Sequence, residues 1–272
     1  MIVGDYASLN RDIEVFANLF GVSPEIHPDD FIFKFVLGSV GHPKLPTIRE
    51  CIKYYFEDGR KSADQFLRLI RNNRVRVPAN VLEFAAGYGC VTRHLLRASD
   101  TNLCACDIHA KAVEFLRDRL FTNALISTSI PEDLTFPMLY DVVFALSFFS
   151  HMPIETWERW LRRLSSFTRI GGLFIFTTHG YKSLDHIDDV NIPDTGFWFR
   201  PNSEQKDLSA EEYGFTITTP EFVHRAIAKL NTLRLVEWRE GFWWGHQDLY
   251  VLRKVATWWP QTPQYDHPGP DN

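Results

Sequence analysis

Apolar positions change period several times along the chain, and the changes outline its elements. Residues 13–19 (Ile-Glu-Val-Phe-Ala-Asn-Leu) repeat at helical spacing, whereas 31–36 is a short apolar segment with no readable role. Residues 48–56 and 62–72 again carry helical spacing, with Phe66, Leu67, Leu69 and Ile70 on one face. Gly59 between them predicts a break into two helices. From residue 81 the pattern shifts to short strands alternating with helices. Strands are expected at 81–84, 102–106, 124–127, 141–146 and 171–178, with helices from about Cys90 and over 110–120 and 154–167. The run 141–146 (Asp-Val-Val-Phe-Ala-Leu) is almost wholly apolar, as a parallel strand buried on both faces requires. A tight Gly171-Gly172 turn leads into 171–178.

Residues 181–219 are polar and aromatic and are interrupted by Pro193, Gly196, Pro201 and Gly214. A segment of that length inside a compact domain predicts a functional lid or insertion. A helix over 220–230 follows, then strands at 232–239 and 247–254 joined by a glycine-flanked loop, which reads as a hairpin. The succession predicts an α/β fold, a three-layer αβα sandwich with a mostly parallel sheet and a C-terminal antiparallel hairpin. Residues 1–78 are expected as a helical lead-in or cap, 79–255 as the core, and the proline-bearing 256–272 as a mobile or surface-draped tail.

Composition narrows the class. The chain has 272 residues, 45% of them hydrophobic, with eight Trp and 22 Phe, which excludes a disordered or fibrous protein. A net charge of -5 argues against broad binding to nucleic acid, because that affinity comes from neutralising phosphates. Cys104 and Cys106 share one face of a strand and cannot easily bridge, and no C-x-x-C pair occurs. Reduced cysteines, no basic leader followed by an apolar run and no stretch long enough to span a membrane give a cytoplasmic expectation.

The chemistry concentrates at residues 81–96, Val-Leu-Glu-Phe-Ala-Ala-Gly-Tyr-Gly-Cys-Val-Thr-Arg-His-Leu-Leu. A strand handing over to a helix through small residues aims backbone N–H groups at one spot, which suits the polar part of a nucleotide-like ligand. Gly87 and Gly89 stand where a side chain would block the ligand or the turn. Glu83, at the end of an apolar strand, either accepts bonds from the turn amides or answers to a ligand. Asp107 ends the second strand about 20 residues past the turn, where an acid grips a ribose diol or caps the next helix.

This stretch resembles motif I of the class I S-adenosylmethionine-dependent methyltransferases, with Ala85 where the first glycine of the family's Gly-x-Gly-x-Gly would be. Alanine is a mild replacement there if φ is negative. The resemblance covers roughly 54–254 and implies S-adenosylmethionine as cofactor, bound by Glu83, Ala85, Gly87, Gly89, Asp107 and Ile108. The segment Tyr54-Tyr55-Phe56-Glu57-Asp58-Gly59 is similar to the family's lead-in that closes over the methionine end, which brings in Tyr55. An acid that the family often places after the third strand is missing, and Ser129 or Ile130 is expected to meet the adenine instead.

Ser147-Phe148-Phe149-Ser150-His151 resembles the tract at the end of the fourth strand, beside cofactor and acceptor. His151 is either a general base or a cap for helix 154–167. His179 and Tyr181 follow the fifth strand at the same sheet edge, and Gln247 and Asp248 either meet acceptor hydroxyls or pair with loop backbone. His186, Asp188 and Asp189 are metal-capable types without a supporting set, so no metal is expected. The resulting expectation is O-methylation of a sugar, glycan or natural-product small molecule. A nicotinamide-dependent oxidoreductase is the second reading, weakened because Thr92 stands where the dinucleotide fingerprint wants glycine or alanine. A methyltransferase-like binding module without catalysis is the third.

Overall fold

A computed structural model describes residues 6–202 and 208–256. Three helices come first, α1 (Tyr6–Phe20), α2 (Phe31–Gly38) and α3 (Ile48–Asn72). The short apolar run at 31–36 is thus a helix, started by Asp30, whose side chain accepts from Phe33 N at 2.9 Å. The expected break at Gly59 does not occur. α3 runs on for 25 residues, and Gly59 is buried where a Cβ would stand 2.2 Å from Cys90 O. The glycine is a notch that lets the helix meet another backbone, and its modest helical cost is accepted for that contact.

The strands follow as β1 (Ala79–Phe84), β2 (Thr101–Asp107), β3 (Asn123–Ile126), β4 (Tyr140–Ala145) and β5 (Thr168–His179). They pair in parallel in the order β3-β2-β1-β4-β5. Between them lie α4 (Thr92–Leu95), α5 (Ala110–Asp118) and α6 (Ile154–Ser166). Beyond β5 the sheet continues antiparallel through β9 (Gln247–Lys254) and then β8 (Leu233–Trp243). The predicted sandwich with its antiparallel end is the observed fold.

Alternation along the central strands sorts the core into two layers. Val81, Val142, Phe144, Leu173 and Ile175 pack with Phe66 and Ile70 of α3. Their neighbours Leu82, Phe84, Val143 and Phe174 pack on the opposite face with Trp157, Trp160 and Leu161 of α6. The same cluster takes in Phe222 and Val223 of α7 (Pro220–Ala228), which Thr219 caps through Phe222 N.

The insertion at 181–219 is more ordered than its composition suggests. It contains a hairpin, β6 (Phe197–Arg200) with β7 (Phe215–Thr218), in antiparallel register. β5 outruns β4, whose last partner is Phe176, so the free edge of β5 at His179 accepts Ile217 of β7. Thr216 N donates to Ser150 O at 2.8 Å and Gly214 N to His151 O at 2.9 Å, which docks the hairpin on the carboxyl edge of the sheet. Of the expected tail, only Ala256 falls within the described residues.

Candidate functional site

A cavity of about 1100 Å³ opens at the carboxyl ends of β1, β2 and β4. Its floor is the turn after β1. There Ala85, Gly87 and Gly89 all have left-handed backbone, at φ +59, +55 and +81. Ala85 is therefore not the mild replacement that a negative φ would make it, and its conformation stores on the order of 1 kcal/mol. The glycines divide the work. A Cβ on Gly87 would meet nothing within 4 Å, so its bareness keeps the cavity open, whereas one on Gly89 would lie 2.5 Å from the Leu120 side chain. Gly89 serves packing against the α5 segment and is not on the wall.

Asp107 holds the turn. Its Oδ2 accepts from Gly87 N at 2.8 Å and its Oδ1 from His109 N at 3.0 Å, with His109 Nδ1 at 2.9 Å from the same oxygen. The turn amides are otherwise taken by backbone, Ala86 N by Cys106 O and Gly89 N by Ala86 O. None of these bonds goes to Glu83. Its Oε2 is buried without a partner, and burial pushes the carboxyl up to about 8, with Asp107 adding to the shift and the Thr92 hydroxyl opposing it. An orphaned acid beside an open glycine fits a ligand that brings its own donors or positive charge. Ile108, Ser129 and Ile130 line the next part of the wall, and Ser147 lines the end of β4.

The remaining expected residues lie elsewhere. Tyr55 is buried off the wall, where its hydroxyl donates to Asp30 Oδ2 at 2.7 Å and accepts from Arg93 Nη2 at 3.2 Å. Asp58, one turn further along α3, lines the cavity instead. Tyr181 is part-exposed and off the wall. Asp248 accepts from Gly241 N at 2.8 Å, its other oxygen buried without a partner beneath Gly180. Among the described residues no group of His, Cys, Asp and Glu is placed to hold a metal ion.

The two histidines differ in what their ring nitrogens do. His179 Nδ1 lies 3.3 Å from Thr216 O, and its Nε2 lies 3.2 Å from the Gln247 amide nitrogen. Gln247 also donates to Ser147 Oγ at 2.8 Å, and its carbonyl accepts from Thr177 Oγ1 at 2.6 Å. Thr177 Oγ1 in turn accepts from Ser147 N, which steadies Ser147 at φ +55. The lone pair of His179 is spent on Gln247. His151 Nδ1 faces Gly214 O at 2.9 Å, so a neutral ring carries its proton there and keeps the Nε2 lone pair. Burial lowers its pKa to about 4. His151 lies one ring behind the wall, stacked on the wall residue Tyr213 at 4.5 Å.

Several wall residues carry no signal in the sequence. Phe31 and Phe35 come from α2, Tyr213 from the insertion and Trp244 from the loop between β8 and β9. Arg93 is buried and ties the N-terminal segment to the turn, donating to Ser23 O, Glu25 O and Gly89 O. The Asp30 cap ahead of an apolar run was the one local hint that this segment is structured.

Residues 82–174 match the methyltransferase domain family. No curated protein matches the chain. Among solved structures, an S-adenosylmethionine-dependent methyltransferase from Clostridium acetobutylicum superposes with a TM-score of 0.56 at 14% identity, covering 82% of this chain and 98% of that one. An amino pentose methyltransferase of Micromonospora echinaspora, from calicheamicin biosynthesis, gives 0.52 at 13% identity over 72% and 92%. The 1,6-didemethyltoxoflavin-N1-methyltransferase of Burkholderia thailandensis gives 0.52 at 13% over 85% and 93%. At these identities the likeness to solved structures is one of fold. Fold and turn together define a Rossmann-like α/β domain with a nucleotide-type site at its sheet edge. The family match makes that specific for residues 82–174, which match a methyltransferase domain.

Proposed function

We propose that the enzyme methylates a hydroxyl group on a sugar, glycan or natural-product small molecule. S-adenosylmethionine supplies an electrophilic methyl group on a sulfonium centre. Asp107 would take the ribose hydroxyls, Ile108 and Ile130 would flank the adenine, and the Ala85–Gly87 turn would carry the amino-acid end. The chain's remaining task is to orient an acceptor oxygen and remove its proton.

The observation that carries this reading is one unbroken cavity running from the Asp107 turn to Ser147, Tyr213 and Trp244. Its volume of about 1100 Å³ reaches the upper end of ordinary ligand sites (roughly 300–1,000 Å³), which leaves room beyond a single donor. Aromatic faces at Tyr213 and Trp244 suit a ring with polar edges. His151 is the base in this proposal because its Nε2 lone pair is uncommitted and its pKa keeps it neutral at physiological pH. His179 is left out because Gln247 occupies the corresponding nitrogen.

Calorimetry with S-adenosylhomocysteine tests the donor half, with Asp107→Ala and a nicotinamide dinucleotide as controls. Binding to the wild type that is lost in the variant, and none of the dinucleotide, is expected. The acceptor half is tested by incubating enzyme and donor with panels of sugars and phenolic or glycosidic natural products and reading methylation by mass spectrometry. Methylation of amines only would sink the hydroxyl assignment.

A further inference from the structure

Helix α2 is apolar on every side, yet it is not enclosed. Its sequence, Phe-Ile-Phe-Lys-Phe-Val-Leu-Gly, carries a single charge, that of Lys34. Phe33 and Val36 are buried, and Phe33 meets Tyr55 of α3 edge-on at 5.1 Å between ring centres. That side accounts for the helix's place in the fold. Phe31, Ile32 and Phe35 lie on another side and line the cavity. Ile32 is 45% exposed and Phe35 60%, with the Phe35 ring stacked on Phe31. A helix that is hydrophobic all round is ordinarily buried all round, so this outer side calls for a cover.

The helix cannot bury that side by swinging, because the chain leading into it is fastened. Asp30 caps α2 and accepts from the Tyr55 hydroxyl at 2.7 Å, and Arg93 donates to Ser23 O and Glu25 O. Lys111 of α5 pairs with Asp29 at 3.1 Å, and the His27 ring stacks on Tyr88 of the glycine turn at 4.5 Å. Elsewhere on the wall Trp244 is fixed too, its Nε1 donating to Asp58 Oδ1 at 2.8 Å.

Charge narrows what can lie there. Lys34 and Lys111 both pair with Asp29, and Arg159 pairs with Glu132. Among the described residues these are the lysines and arginine of the wall, so its strong cations are already engaged before a phosphate or carboxylate arrives. Exposed apolar side chains beside engaged cations suit an uncharged, hydrocarbon-rich group.

We infer that the acceptor carries an apolar arm, an alkyl chain or aryl ring joined to its hydroxyl-bearing part, which lies on Phe31, Ile32 and Phe35. The arm, rather than a protein or a membrane, is the cover because these residues belong to the same cavity as Ser147 and Tyr213. Hydrophobic natural-product scaffolds and alkyl or aryl glycosides are thereby selected over free sugars and anionic glycans. The inference rests on the proposed hydroxyl methylation in this cavity.

The test is calorimetry on protein saturated with S-adenosylhomocysteine, using phenol against 4-hexylphenol and methyl glucoside against hexyl glucoside. In at least one pair the hexyl member should bind about tenfold or more tightly than its partner, an advantage falling below about threefold in Ile32→Ser/Phe35→Ser. Both substitutions are at exposed positions and leave Phe33 and Val36 in place, so thermal unfolding and S-adenosylhomocysteine affinity should be unchanged. If the double variant unfolds early, Phe35→Ala alone takes its place. No hexyl advantage in either pair, no binding by any of the four probes, or an advantage undiminished in the variant overturns the inference and leaves the donor site standing. A variant that instead loses S-adenosylhomocysteine would put α2 over the donor and overturns it as well. No binding of S-adenosylhomocysteine by the wild type removes the proposed function first and the inference with it.

Discussion

The floor of the cavity and the residues that surround it are built on different principles. The floor uses backbone: left-handed Ala85, Gly87 and Gly89, with Asp107 accepting from the Gly87 amide, all within two successive strand–turn–helix units. The surround uses side chains gathered from α2, α3, the insertion and the β8–β9 loop, such as Phe35, Asp58, Tyr213 and Trp244. A backbone-built floor suits a ligand that is always the same, because it depends on conformation more than on side-chain identity. A side-chain-built surround can change its chemistry without disturbing the turn, so under the proposed function acceptor choice is assigned there.

Substitutions sharpen or break that division. The largest expected effect is on the surround: His151→Ala lowers turnover of an identified acceptor by about 10²–10⁴-fold with S-adenosylhomocysteine affinity unchanged. The pH–rate profile should then lose an acid limb near 4. A comparable fall in turnover for His179→Ala, with the fold intact by thermal unfolding, would break the distinction between the two imidazoles.

Next is Gly59→Ala, where helix and turn meet. The added Cβ has no room against Cys90 O, and about 3 kcal/mol of stability should be lost in urea unfolding, with cofactor affinity falling alongside. Native stability in this variant would mean that α3 does not brace the turn.

A smaller effect comes from Glu83. Its carboxyl is raised from 4.5 to about 8, so the folded protein favours the protonated form. That contribution is fully present below about 4.5 and is lost as pH rises through about 8. The ligand-free protein should therefore lose several degrees of Tm (on the order of 5 °C or more) as pH rises from about 4.5 to about 8 and level off above that, and Glu83→Gln should flatten the slope. The smallest effect is Ala85→Gly, which relieves a left-handed alanine and should stabilise the floor by under about 1 kcal/mol. Destabilisation there would show that the alanine methyl group packs usefully.

Much of the fold was legible because the strands announce themselves. The apolar run at 141–146 and the Gln247–Lys254 strand need only local pattern, and both strands stand where that pattern puts them. Gly59 shows the limit of such reading. A glycine between two helical patterns signals a break locally, yet here it answers to a carbonyl from a distant turn. Residues 31–36 were illegible for a related reason: eight residues of helix are too few to establish a period, and only the Asp30 cap and packing on α3 decide their state. Tyr55 and Asp58 lie on one helix, and the sequence offered no means to tell which of them reaches the cavity.

The sequence by itself determined the strand–turn–helix succession, the glycine turn and the acid after the second strand, because each follows from backbone preference and burial over a few residues. Only the tertiary structure decided which ring nitrogen is free on His151 and spent on His179, and that Asp58 is met by Trp244. Those properties are set by hydrogen bonds from Gly214, Gln247 and Trp244, partners tens of residues or more along the chain. Local patterning fixes which elements form, whereas the pairing of individual atoms is settled only when the elements pack.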